Sequence, residues 1–136
     1  PSSRPPDGGR VLVVDDEAGI RDALARLIGR ERVVTCVSGR EALAVLEGDD
    51  SFDVILSDLL MADVSGMELY RVACARRPAL AERFVFMTGG AATTEARAFL
   101  EEVAPRVLEK PFDAQELRAA LSELQARVPL GSGHTA

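Results

Sequence analysis

Two cysteines, one histidine and a shortage of positive charge narrow the field before any motif is read. Sixteen Lys and Arg stand against twenty-two Asp and Glu, a net charge of -6. A surface of that sign repels phosphate backbones and anionic lipid, so no direct contact with nucleic acid or with a membrane is expected. Cys36 and Cys74 are far apart, belong to no paired-cysteine motif and fall in apolar segments. They read as buried free thiols, which suits a reducing cytosol. No apolar run approaches the length of a membrane span, and the N-terminus lacks the charged start and apolar stretch of a signal peptide. The domain itself is expected to be soluble and cytoplasmic, although a parent chain could be anchored in a membrane.

What is present fits one domain. A chain of 136 residues is long enough to bury roughly two thirds of the surface its unfolded form would expose, and leaves no room for a second folded unit. Residues 1–10, PSSRPPDGGR, are rich in Pro, Gly and Ser and read as a linker or disordered lead-in. Position 1 is Pro, not Met, which hints at a piece of a longer chain. The folded domain is expected over residues 11–128 and a disordered tail over 129–136. The single histidine, His134, follows Gly131, Ser132 and Gly133 in that tail and reads as solvated.

Between the ends, apolar runs alternate with amphipathic stretches. Val11 to Val14, Val33 to Val37, Val54 to Leu56, Phe84 to Met87 and Val107 to Leu108 predict five strands. The first, third and fourth are continuously apolar, as expected when helices cover both faces of a parallel sheet. Helical spacing joins Ile20, Leu24, Leu27 and Ile28; Ala42, Val45 and Leu46; Leu69, Val72 and Ala73; Ala96, Phe99, Leu100 and Val103; and Leu117, Ala120, Leu121, Leu124 and Val128. Ser38 with Glu41 and Asp113 with Glu116 have capping-box spacing, and Pro78 marks where the third helix must have ended. The predicted architecture is α/β: a doubly wound (βα)5 domain around a five-stranded parallel sheet.

Ligands in such folds bind at the carboxyl ends of the strands. The first strand ends in Asp15 and Asp16, the third in Asp58, the fourth in Thr88 followed by Gly89 and Gly90, and the fifth in Lys110 and Pro111, whereas the second ends in Ser38. With strand order 2-1-3-4-5 these groups converge on one crevice. Three carboxylates in a small space raise one another's pKa, and a divalent hard cation resolves the repulsion. Magnesium suits an all-oxygen set: Asp16, Asp58 and a backbone carbonyl just past Asp58, that of Leu60, with Asp15 acting through water. The lack of nearby His or Cys argues against zinc, and no organic cofactor is called for. The remaining groups suit phosphate: a carboxylate nucleophile, a Lys110 point charge, and a Thr88 hydroxyl beside a Gly89 that leaves the backbone open. Taken singly, each has a plainer reading, since acids favour a helix N-terminus and Thr-Gly or Lys-Pro steps are common in loops. Asp63 reads as a solvated turn residue, and Met61 and Met67 as packing.

The blocks VLVVDDE, ILSDLLMADVSG, FMTGG and LEKPF resemble those of two-component response regulator receiver domains, from about Val11 to Val128. The resemblance implies a flavodoxin-like receiver fold with Asp58 as phosphoacceptor, Asp15 and Asp16 as the metal-binding acidic pair, Thr88 as the switch hydroxyl and Lys110 as the phosphate-contacting lysine. It implies magnesium, which manganese could replace, and a phosphohistidine-bearing kinase or phosphotransfer domain as donor. It implies no enzymatic activity beyond self-phosphorylation and autodephosphorylation, and a surface of helix 4, strand 5 and helix 5 through which a downstream protein could be engaged. The bond before Pro111 is expected to be cis.

Two positions depart from the family's pattern: Ala62 stands where proline is common, and Val107 where an aromatic residue usually swings inward on phosphorylation. The lead-in and the FMTGG and VLEKPF wording resemble receivers fused behind a histidine kinase, a hybrid kinase whose parent chain would be an enzyme; a free single-domain regulator is the alternative. A magnesium-dependent phosphohydrolase with an aspartyl intermediate fits less well, because such enzymes carry the nucleophile on the first strand.

Overall fold

A computed structural model describes residues 9–49, 51–61, 63–89, 93–103 and 105–133, with side chains through residue 123. Strands β1 (Val11–Val14), β2 (Val33–Cys36), β3 (Val54–Asp58), β4 (Phe84–Thr88) and β5 (Arg106–Glu109) alternate with helices α1 (Ala18–Ile28), α2 (Gly39–Gly48), α3 (Gly66–Arg76), α4 (Thr94–Val103) and α5 (Ala114–Gly133). All four strand pairings are parallel and the order is β2-β1-β3-β4-β5, as the sequence predicts.

The sheet explains the continuous apolar runs. Every residue of β1 is buried, and β3 and β4 are buried up to their last residue, because helices cover both faces. On one face Leu12, Val14, Ile55, Phe84 and Phe86 pack against Ala42 and Leu46 of α2, Leu69 and Ala73 of α3, and Phe99 of α4. On the other, Val11, Val13, Leu56, Val85 and Met87 pack against Leu24 and Ile28 of α1 and Leu117 and Leu121 of α5. The edge strands β2 and β5 are more exposed, as their position in the order requires.

Several element ends differ from the sequence reading. Strand β2 stops at Cys36, one residue early, whereas β3 and β4 continue through Asp58 and Thr88 because the ladder persists: Asp58 pairs in register with Met87 and Thr88 with Glu109. Helix α5 runs to Gly133, past the boundary expected at Val128. The side chains of Leu124 and Val128, and His134 itself, lie outside the described residues, as do Ala62 and Gly90.

Caps place the helices. Asp113 and Glu116 form the reciprocal box: Glu116 N–H donates to Asp113 Oδ1 at 2.8 Å and Asp113 N–H to Glu116 Oε1 at 3.0 Å. Ser38 accepts from Glu41 N–H at 3.1 Å, but Glu41 in turn accepts from Val37 N–H, one residue earlier than the box predicts. Helix α3 ends at Arg76, and Pro78 opens a 3-10 turn over Pro78–Arg83. Cys36 is wholly buried and Cys74 partly so; burial pushes their thiols up to about 12 and about 11.

Candidate functional site

Asp15 leaves β1 at the point where the β1–β2 ladder makes its last bond, from Asp15 N–H to the Cys36 carbonyl at 3.2 Å. Its side chain is completely buried. A buried carboxylate needs partners, and Asp15 has two: Glu17 N–H donates to Oδ1 at 2.9 Å and the Lys110 ammonium to Oδ2 at 3.1 Å. Asp16, the next residue, is exposed, and its carboxylate makes no hydrogen bond to the protein among the described residues.

Asp58 closes β3 with its carboxylate 3.5 Å from Lys110 Nζ and a side chain 14% exposed. Burial pushes its carboxyl up to about 6; Lys110 opposes that shift, and the charges of Asp15 and Asp16 add to it. For Lys110, burial alone would lower the pKa. The hydrogen bond to Asp15 and the charges of Asp58, Asp15 and Glu17 outweigh it and hold the ammonium protonated above its ordinary range.

Lys110 reaches this position because its own N–H donates to the Thr88 carbonyl at 2.7 Å, continuing the β4–β5 ladder. The bond that follows, to Pro111, is cis, as the resemblance implies. Thr88 is the last residue of β4, half-buried, one strand away from Asp58. A Cβ added at Gly89 would make only ordinary contact with the Lys110 side chain, at 3.7 Å. Leu60 lies two residues past Asp58 and is 42% exposed.

Carboxylate oxygens of Asp15, Asp16 and Asp58 lie within 4.8 Å of one another, and no His or Cys joins the group. That donor set fits a hard divalent cation such as magnesium, with the Asp16 carboxylate unpartnered among the described residues and the Asp58 carboxyl raised chiefly by burial, with the charges of Asp15 and Asp16 adding to it.

Three positioning features escaped the sequence reading. Gly66, the first residue of α3, lies so close beneath the site that a Cβ would come within 2.3 Å of the Asp58 carbonyl, and its N–H donates to the Leu59 carbonyl at 2.9 Å. Ser65 caps α3 by accepting from Glu68 N–H at 3.1 Å, a Ser-x-x-Glu spacing that was there to be read. The Arg21 guanidinium donates to the Asp15 carbonyl at 2.8 Å, and no local pattern marks it. Asp63 accepts from its neighbour Val64 N–H and sits 3.5 Å from Arg40, a turn residue as expected. Met67 is buried and Met61 packs against the same core.

The chain belongs to the response regulator receiver domain family, whose model matches residues 11–122. It is 34% identical over 125 residues to the transcriptional regulatory protein TcrA of Mycobacterium tuberculosis, covering 90% of this chain and 48% of that protein. It is 35% identical over 115 residues to the DNA-binding transcriptional regulator NtrC of Proteus hauseri, covering 83% of this chain and 24% of the relative. The chain thus spans about half or less of the curated relatives it matches. Among solved structures, a response regulator receiver domain protein from Clostridium thermocellum superposes with a TM-score of 0.78 at 29% identity, covering 89% of this chain and 97% of that one. A chain described as adenylate cyclase from Rhodopirellula baltica gives 0.79 at 30% identity, covering 92% and 93%.

Proposed function

We propose that Asp58 accepts a phosphoryl group from a phosphohistidine, and that the observation carrying this role is the Lys110 ammonium lying between Asp15 and Asp58, 3.1 and 3.5 Å from their oxygens. An Asp58 oxygen attacks phosphorus. The phosphorus–nitrogen bond breaks, its electron pair returns to the imidazole, and the imidazole takes up a proton from solvent. Lys110, already protonated and aimed at the acceptor, neutralises charge on the phosphoryl oxygens, and Thr88 donates its hydroxyl to one of them. Asp16, Asp58 and the Leu60 carbonyl would hold magnesium, or manganese in its place, with Asp15 acting through water. When bound, the ion supplies Lewis-acid stabilisation of the transferring group.

Phosphorylation adds about -1.5 to -2 of charge to this crevice and shifts an equilibrium between two conformations. The face formed by α4, β5 and α5 is the surface offered to a downstream protein. Val107 lies on that face, 36% exposed and in register with the buried Phe86, so reporting there goes through packing, without an aromatic rotation. The domain is read as residues 11–128 of a cytoplasmic signalling unit, joined in its parent chain to a histidine kinase on the strength of the FMTGG and VLEKPF wording. The coding sequence on either side tests that context, and a stand-alone regulator is the other outcome.

Incubation with magnesium and acetyl phosphate, followed by intact mass, tests the acceptor. One phosphate is expected to add, and Asp58→Asn or removal of the metal to abolish it. Persistent labelling of the Asn variant would place the acceptor elsewhere.

A further inference from the structure

The two acids at the end of β1 are held very differently. The Asp15 carboxylate is fixed by Lys110 and by the Glu17 N–H, while the Asp16 carboxylate has no protein partner among the described residues and takes its position from its backbone alone. That backbone begins at the Asp15–Asp16 peptide, whose carbonyl belongs to a completely buried residue. A buried carbonyl outside the ladder needs a donor. Arg21, half-buried on α1, supplies it at 2.8 Å across six residues.

Arg21 has a local cost in that place. It is the fourth residue of α1, near the positive end of the helix dipole, where a cation is disfavoured, and the first turn holds no acid to offset it. The helix has no side-chain cap hydrogen bond from Glu17, and the guanidinium, a donor only, reaches back across the join between strand and helix to the Asp15 carbonyl.

We infer that Arg21 is a positioning residue for the metal site: by locking the Asp15 carbonyl it sets the plane of the Asp15–Asp16 peptide, and so the place from which Asp16 meets a divalent cation. The inference rests on the reading of Asp16 and Asp58 as metal ligands. Partners that orient a ligand from outside the coordination sphere typically change metal affinity by 10–100-fold when removed. An arginine acting through one peptide should fall at the lower end, about tenfold.

The test is calorimetric titration of the whole chain with magnesium alone, for the parent, Arg21→Ala, Arg21→Lys and Asp16→Asn. Arg21→Ala is expected to bind magnesium about tenfold more weakly, with Arg21→Lys recovering part of the loss because its ammonium can still reach the carbonyl. With acetyl phosphate, the Ala variant should need more magnesium for half-maximal labelling yet reach the parent rate at saturation. Should Arg21→Ala fold poorly, Arg21→Met, which keeps an aliphatic stem of similar length but has no N–H donor, takes its place and should show the same loss of about tenfold. Binding by Arg21→Ala as tight as the parent's would overturn the inference, and tighter binding would show the guanidinium to be a repelling charge instead. A parent that binds no magnesium would remove the metal site and this inference with it. A parent that binds while Asp16→Asn binds equally would show that Asp16 is not a ligand.

Discussion

Lys110 donates its ammonium to Asp15 at 3.1 Å, across 95 positions of sequence, and by that bond ties the end of β5 to the end of β1 over the intervening strands. The pair gives a fully buried carboxylate an oppositely charged partner and leaves the lysine within 3.5 Å of Asp58. The same ammonium therefore serves the fold and the proposed chemistry.

Replacing Lys110 by Met should separate those roles. Breaking a buried ion pair costs about 3–5 kcal/mol where both partners are enclosed; with Lys110 20% exposed, a loss of about 1–3 kcal/mol is expected in metal-free buffer at pH 7. Magnesium should restore part of the stability and none of the phosphate uptake, read by urea unfolding and intact mass. Unchanged stability without metal would show that solvent, not Lys110, satisfies Asp15.

Asp58→Asn should stabilise the metal-free protein at neutral pH. The folded state holds the Asp58 proton up to about pH 6, while the unfolded chain releases it near 3.8. Between those values the folded state binds more protons, so stability falls as pH rises, and above about 6 the whole penalty is present. The Asn variant carries no such penalty. It should gain about 1–3 kcal/mol at pH 7, with the advantage shrinking as pH falls toward 4, measured by urea unfolding across that range. A gain independent of pH would assign the effect to something other than ionisation.

Gly66→Ala tests the support beneath the acceptor. A Cβ 2.3 Å from the Asp58 carbonyl must push α3 or the end of β3 aside, at a cost of about 1–3 kcal/mol. Because the displaced atom belongs to Asp58, labelling by acetyl phosphate should fall as well. Ala at Gly48, where the added Cβ meets nothing within 4 Å, is the control and should leave labelling intact.

Much of this was legible in one dimension. Continuous apolar runs in β1, β3 and β4 announced a sheet covered on both faces, and the polar residues that follow them named Asp15, Asp16, Asp58, Thr88 and Lys110 as neighbours, because strand ends in a parallel sheet lie along one edge. Other features were harder to read. Strand β3 reached Asp58 through ladder bonds that hydropathy does not report, and α5 continued past a boundary drawn from composition.

The sequence by itself determined the fold class, the order of elements and the residues gathered at the site, since periodicity and the placement of polar groups after apolar runs are local properties. Tertiary structure alone decided how those residues divide the work. Which carboxylate Lys110 grips, which is left unpartnered, that Arg21 reaches the Asp15 carbonyl and that Gly66 must lack a side chain all depend on atoms meeting across elements, where distances of a few ångströms set hydrogen bonding and charge, and no spacing along the chain encodes them.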